Sequence, residues 1–156
     1  MDTILTQKLT LEEFLKLPNL EESPAWEYVG GNAIQKPMPK VRHSILQKRL
    51  LVTIDNSESN YLALPELRCT FGDRSVVPDI VVVSWDKIQI NEFGEPEDNF
   101  KPAPDWSIEI LLTPQQEIEI CRGSQQLQVL TDINLQLTAE EVFNWLKLGK
   151  IGADLK

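Results

Sequence analysis

Apolar residues at helical spacing predict three helices. Residues 10–13 read Thr-Leu-Glu-Glu, the T-x-x-E form of a capping box, and an apolar face continues until Pro18. A second stripe predicts a helix over about 40–53, which begins after Pro37 and Pro39. The T-x-x-E form returns at 138–141, and Gly149 stands where a helix ends in a left-handed residue.

Strand-like segments lie between these helices. Segments 26–29 and 33–35 flank Gly30-Gly31-Asn32 and predict a hairpin, because glycine adopts positive φ without steric cost. Segments 61–64, 67–71 and 76–83 predict three neighbouring strands. Residues 80–83 are all apolar, which is typical of a strand covered on both faces by helices. We further predict a strand at 106–112, weaker strands at 127–130 and 133–137, and a long loop at 91–105.

Composition places the chain among globular proteins. Its 156 residues suffice for one domain, and we expect that domain to span 9–148 with flexible ends at 1–8 and 149–156. No apolar run approaches the roughly 20 residues of a membrane span, and residues 1–8 lack a signal-peptide pattern. We therefore expect a cytoplasmic protein. Cys69 and Cys121 belong to no C-x-x-C unit, so two inert thiols are expected rather than a zinc site.

The net charge of −9 opposes non-specific attraction to nucleic acid. Any such role requires a local basic surface, and 36–49 is the best candidate because it holds five Lys or Arg residues, His43 and no acid. A solvated helix face explains the same charges.

Two acids interrupt otherwise apolar strands: Asp79 precedes the run 80–83, and Glu109 lies within 106–112. A buried carboxylate is costly unless it is paired or binds a cation, so two of them on adjacent strands indicate a site for Mg²⁺ or Mn²⁺. Such an ion could hold a phosphate and activate a water molecule. The alternative is that each acid lies at a strand end or edge, exposed to solvent. The residues alone do not separate these interpretations.

An ordered set of motifs covers nearly the whole chain. It comprises LTLEEFLKLP (9–18), WEYVGG (26–31), QKPMP (35–39), His43-Ser44, PELRCTFG (65–72), VVPDIVV (76–82) and APDWSIEIL (103–111). In this order the motifs resemble the bacterial Uma-two family, which is assigned to restriction endonucleases of the PD-(D/E)XK nuclease superfamily.

The resemblance implies an α/β, or α+β-like, restriction-endonuclease fold with a mixed sheet flanked by helices. It also implies Mg²⁺- or Mn²⁺-dependent hydrolysis of phosphodiesters, with DNA as the partner. By position, Asp79 matches the aspartate of the Pro-Asp motif and Glu109 matches the second acid. Glu27 matches the acid of the N-terminal strand, which would complete the metal shell. His43 matches a position near the mouth of the active site, although a helix-capping or surface histidine is an equal alternative.

The chain departs from the family pattern after Leu112. Members carry an active-site lysine on a helix beyond the second acid, whereas this chain has no lysine between Glu109 and Lys147, and Leu111 stands where an E-x-K motif would place one. A family segment is therefore missing between Leu112 and Arg122, and we expect an incomplete fold that dimerises or self-associates. The competing hypothesis is a catalytically inactive remnant or binding module of the same fold. A third interpretation is a structural protein whose strand acids lie at edges.

Overall fold

The computed structural model describes residues 3–4, 8–57, 59–111 and 132–147. The described elements, in chain order, are β1 (Thr3–Ile4), α1 (Leu11–Leu15), β2 (Trp26–Val29), β3 (Asn32–Gln35), α2 (Val41–Asp55), β4 (Tyr61–Pro65), β5 (Cys69–Phe71), β6 (Arg74–Val76), β7 (Ile80–Ser84), β8 (Trp106–Ile108) and α3 (Ala139–Asn144). A single 3₁₀ turn, Trp85–Lys87, follows β7 among these residues.

The first sheet has the strand order β1-β3-β2-β6-β5. Its centre is the predicted hairpin, in which Val29 pairs with Asn32 across Gly30 and Gly31. Both glycines have positive φ, 58° and 86°, which a two-residue hairpin turn with the twist of the strands requires. The hairpin prediction is confirmed.

The second sheet has the order β4-β7-β8, with the apolar strand β7 in the centre as predicted. The expected continuous strand 76–83 is instead divided: Val76 ends β6 in the first sheet, and Ile80 begins β7 in the second. Pro78 explains the break, because proline has no N–H for a strand ladder. The three segments predicted to be neighbours are consequently shared between the two sheets.

Helix α2 covers the second sheet through Leu46, Leu50 and Ile54, which pack with Ile80 and Val82. Helix α3 joins this core through its buried apolar residues Val142 and Phe143. A smaller cluster forms where Phe14 of α1 packs against Tyr28 of the first sheet.

Both predicted capping boxes are present. Thr10 accepts from the backbone N–H of Glu13, and the Glu13 carboxylate accepts from the backbone N–H of Thr10. Thr138 and Glu141 repeat this pair at the start of α3. These reciprocal bonds satisfy amides that the first turn of a helix leaves without partners, so they fix where each helix begins.

The α+β fold class is confirmed. The expected single mixed sheet is corrected in two respects: the described strands form two sheets, and all their pairings are antiparallel. The short connection of β2 to β3 and of β5 to β6 explains this for those pairs, because parallel neighbours need a crossover of a dozen or more residues. Segment 91–105 is a loop as expected, except for a bridge between Ile90 and Pro96 at its start.

The C-terminal predictions are tested only in part. Segment 133–137 has alternating burial, with Ile133 and Leu137 buried, but it forms no strand in the described part of the chain. Four predictions concern positions outside the described residues: the strand 127–130, the deletion between Leu112 and Arg122, Cys121 and Gly149. The domain limits and flexible ends stay predictions, although Thr3 and Ile4 pair with β3. No helix in the described ranges is long and apolar enough to cross a membrane.

Candidate metal centre

The two acids singled out in the sequence are brought together at one end of the second sheet. Strands β7 and β8 pair antiparallel with Ile80 opposite Ile108, so Asp79 and Glu109 occupy the next opposing positions beyond the ladder. Directly opposed positions place their side chains on the same face. The Asp79 side chain is 7% exposed, whereas that of Glu109 is 45% exposed. The predicted pairing of the two acid-bearing strands is therefore confirmed. Asp79 is buried, whereas Glu109 lies exposed just beyond the end of the edge strand β8, as the alternative interpretation held.

Three donors hold the Asp79 carboxylate. Its Oδ2 accepts from the backbone N–H of Ile110 at 2.6 Å and faces His43 Nε2 at 3.0 Å, while its Oδ1 accepts from Lys36 Nζ at 3.0 Å. Burial alone would raise the pKa of Asp79, but these bonds and the lysine charge outweigh it and lower the pKa. Asp79 is thus a fixed carboxylate, and Gln47 Nε2 also donates to its backbone carbonyl at 2.8 Å.

Lys36 is the residue that the sequence analysis missed as part of the site. It directly follows β3, and its Nζ donates to Glu109 Oε2 at 2.9 Å and to the Val77 carbonyl at 2.8 Å, besides Asp79. Desolvation would lower the pKa of Lys36, but the two carboxylates outweigh it and raise the pKa. The sequence offered one signal: Lys36 opens the basic stretch immediately after the hairpin.

Glu109 behaves differently from Asp79. Desolvation, with smaller contributions from the negative charges of Asp79 and Glu27, raises the pKa of Glu109 to about 7 despite the opposing effect of the Lys36 ammonium.

His43 lies in the first turn of α2, as predicted, and is in contact with the site. Its Nε2 faces Asp79, while its buried Nδ1 has no hydrogen-bond partner within the described ranges. The imidazole therefore contacts the Asp79 oxygen that Lys36 does not bind. The helix-capping alternative is not observed, because the N-cap residue of α2 is Lys40.

Glu27 lies near the site, but its side chain bonds to the backbone rather than to the other site residues. Its Oε1 accepts from the backbone N–H of Val77 at 2.7 Å, which ties β2 to the segment that carries Asp79. Its place in a metal shell stays a prediction.

The side chains of Lys36, His43, Asp79 and Glu109 line a pocket of about 400 Å³. One wall is the loop 20–25, which Arg68 holds in place by donating to the Leu20 and Trp26 carbonyls, with Ser75 and Glu21 as further partners. Met38 and Leu111 also line the pocket, and both are exposed to solvent. The site is therefore accessible to a ligand.

The donor set fits a hard divalent cation of the Mg²⁺ kind. Within the described residues, no group of three or more His, Cys, Asp or Glu side chains could hold a metal ion. However, Mg²⁺ is commonly held by one or two carboxylates together with water. The Asp79 and Glu109 carboxylates and the Val77 carbonyl all converge on one point, the position of Lys36 Nζ.

Two antiparallel sheets with few helices define an α+β protein, and its paired acids lie just beyond the end of the second sheet. A solved structure of this kind, described as "a putative nuclease belonging to DUF820 from Anabaena variabilis ATCC 29413", is 36% identical and matches with a TM-score of 0.75. The match covers 88% of this chain and 99% of that chain. The model of the Uma2 family, described as "Putative restriction endonuclease", matches residues 11–143. The chain therefore belongs to the Uma-two family, as the motifs indicated. A comparison with curated proteins finds no match.

Proposed function

We propose that the chain is a Mg²⁺- or Mn²⁺-dependent endonuclease that hydrolyses phosphodiester bonds of DNA. The observation that carries the proposal is the convergence of the Asp79 and Glu109 carboxylates on one point of an open pocket. Membership of the Uma-two family and the likeness to a structure described as a nuclease support the same activity class.

Each residue has a task in this proposal. Asp79 and Glu109 would hold the cation, which when bound polarises a phosphoryl oxygen and lowers the pKa of a coordinated water. His43 and the Ile110 amide keep the Asp79 carboxylate in one orientation. Lys36 supplies the positive charge that the family obtains from its helix lysine, and such charge stabilises the anionic transition state of phosphoryl transfer.

The basic stretch 36–49 is suited to the approach of DNA. Lys36, Lys40 and His43 line the pocket, and Arg42, Lys48 and Arg49 are exposed along α2 beyond it. A local cationic track beside the acids would let a phosphate backbone approach a protein whose overall charge is negative.

Nicking of supercoiled plasmid in millimolar Mg²⁺ or Mn²⁺ tests the proposal. We expect Asp79→Asn and Glu109→Gln each to reduce the rate by about 10²-fold or more, the loss typical of a removed electrostatic element. Glu92→Gln is the matched control, since Glu92 is an exposed acid in the 91–105 loop, and should leave the rate unchanged. Nicking that survives in both site variants would refute the assignment.

Glu27→Gln separates two roles for Glu27. A glutamine carbonyl can still accept from the Val77 amide, so a purely structural Glu27 predicts unchanged folding and unchanged nicking. If Glu27 is a metal ligand, the same substitution should raise the Mn²⁺ concentration required for half-maximal nicking.

A catalytically inactive binding module is the second candidate, favoured by the absence of any lysine between Glu109 and Lys147. It predicts no nicking by the wild-type protein under any metal condition, together with retained DNA binding in fluorescence anisotropy. It also predicts that charge reversal at Arg42 or Lys48 weakens this binding, whereas Asp79→Asn does not.

A further inference from the structure

The Lys36 ammonium occupies the position that the site offers to a divalent cation. Three oxygen atoms surround Nζ: the Val77 carbonyl at 2.8 Å, Glu109 Oε2 at 2.9 Å and Asp79 Oδ1 at 3.0 Å. Two carboxylates and a carbonyl are the oxygen ligands that hard divalent ions prefer. In this structure the same atoms serve a cation that is attached to the chain.

A metal ion and this ammonium cannot share the three oxygens. Magnesium binds oxygen at about 2.0–2.1 Å, so an ion among the same ligands would lie almost where Nζ lies. The two positive charges would also repel strongly inside a pocket that is partly shielded from water. Metal binding at this point therefore requires the lysine head group to move away.

The surroundings allow such a movement. The Lys36 side chain is 18% exposed and lines the open pocket, and its aliphatic stem is flexible. Asp79 would remain oriented after the lysine leaves, because His43 and the Ile110 amide bind its other oxygen. The Asp79 carboxylate is thus held independently of Lys36.

We propose that Lys36 is a built-in competitor for the divalent cation of the Asp79–Glu109 site, whose ammonium fills the cation position until a metal displaces it. This inference rests on the proposed metal site but not on catalytic turnover. In this proposal Lys36 weakens metal affinity, so its removal should tighten metal binding. Removal of an ordinary metal-site residue weakens metal binding instead.

Mn²⁺ binding to the full chain, measured by calorimetry and by the paramagnetic resonance of free Mn²⁺, tests the inference. Lys36→Met keeps an apolar stem and removes the charge, so we expect its Mn²⁺ dissociation constant to fall by about tenfold or more. Lys36→Gln is the second variant, in case methionine disturbs folding, and should change the constant in the same direction. Lys40→Met is the matched control because Lys40 is an exposed lysine of the same pocket, and it should change the constant by less than about threefold.

The gain in Mn²⁺ affinity of the Lys36 variants must depend on the carboxylates of the site. The double variant Lys36→Met with Asp79→Asn should lose the added affinity, which excludes a new site elsewhere. Unchanged or weaker Mn²⁺ binding in both folded Lys36 variants would overturn the inference, as would a fall of equal size in Lys40→Met.

The outcomes separate this inference from the nuclease proposal. Tighter Mn²⁺ binding by Lys36→Met without nicking by the wild type would support the competitor role and refute the endonuclease. Mn²⁺-dependent nicking by the wild type without tighter binding by the Lys36 variants would refute only the competitor role.

Discussion

Replacing Asp79 by alanine should destabilise the metal-free protein, and the structure indicates by how much. The Ile110 amide and His43 Nε2 would lose the acceptor that holds them, whereas Lys36 would keep its bonds to Glu109 and to the Val77 carbonyl. Each hydrogen bond to a charged group contributes about 1.5–3 kcal/mol. Two such losses give about 3–6 kcal/mol, and relief of the buried charge offsets a part of this.

We therefore expect Asp79→Ala to lower the free energy of unfolding by about 3 kcal/mol, which corresponds to a melting temperature lower by about 6–12 °C for a chain of this size. The assay is urea unfolding followed by tryptophan fluorescence in EDTA, which removes any contribution from bound metal. Asp79→Asn should fall between the wild type and Asp79→Ala, because the amide keeps one acceptor oxygen but not the charge.

Asp86→Ala is the control, since Asp86 is exposed in the 3₁₀ turn after β7 and should change stability by about 0.5 kcal/mol or less. An Asp79→Ala protein as stable as the wild type, or more stable, would refute the reasoning. It would mean that desolvation and repulsion from Glu109 cancel everything that the three donors contribute.

Three further predictions concern parts of the molecule outside the site. Asp105 accepts from Lys87 Nζ and from the Ser84 amide, both at 2.8 Å, and these bonds outweigh desolvation to lower its pKa. The contribution of ionised Asp105 to the stability of the fold is therefore complete above the unfolded pKa near 3.9. This contribution is lost as the pH falls through the lower pKa of the folded state. Asp105→Asn should lower the free energy of unfolding by about 1.5 kcal/mol at pH 7. In thermal melts at acid pH, the difference in stability between this variant and the wild type should vanish. Burial raises the pKa of Cys69 to about 11, so with Cys121→Ser as background a disulfide reagent should label the unfolded but not the native protein. Finally, we expect light scattering at rising concentration to show dimers or larger species, and a monodisperse monomer would contradict the predicted self-association.

Local patterns in the sequence predicted most of the elements because their causes are local. The capping boxes at Thr10 and Thr138 and the turn at Gly30-Gly31 depend on residues a few positions apart, and all three occur as predicted. The break at Pro78 was missed, since the apolar content of 76–83 is the same whether the segment is one strand or two. The missing proline N–H was the signal that could have revealed it.

The site was predicted in part for a related reason. Asp79 and Glu109 could be paired from the sequence because each is a lone acid in an apolar strand pattern. The register of β7 and β8 then places the two acids opposite each other. Lys36 could not be assigned to the site in this way, because its position depends on the order β3-β2-β6 in the other sheet. Spacing along the chain carries no information about which strand of one sheet ends beside the acids of another.

The division of the 76–83 segment also explains why a site exists at this point. Val77 and Asp79 lie between the end of β6 and the start of β7, so the Val77 carbonyl can accept from Lys36 and the Asp79 side chain can face the pocket. Glu27 then anchors the freed Val77 amide from the first sheet. In the proposed function, Lys36 at the end of β3 would supply the charge that the resemblance assigns to a helix lysine beyond the second acid. Because this lysine arrives from the other sheet, its ammonium lies between the two carboxylates. The proposed competition between Lys36 and a metal ion follows from that position.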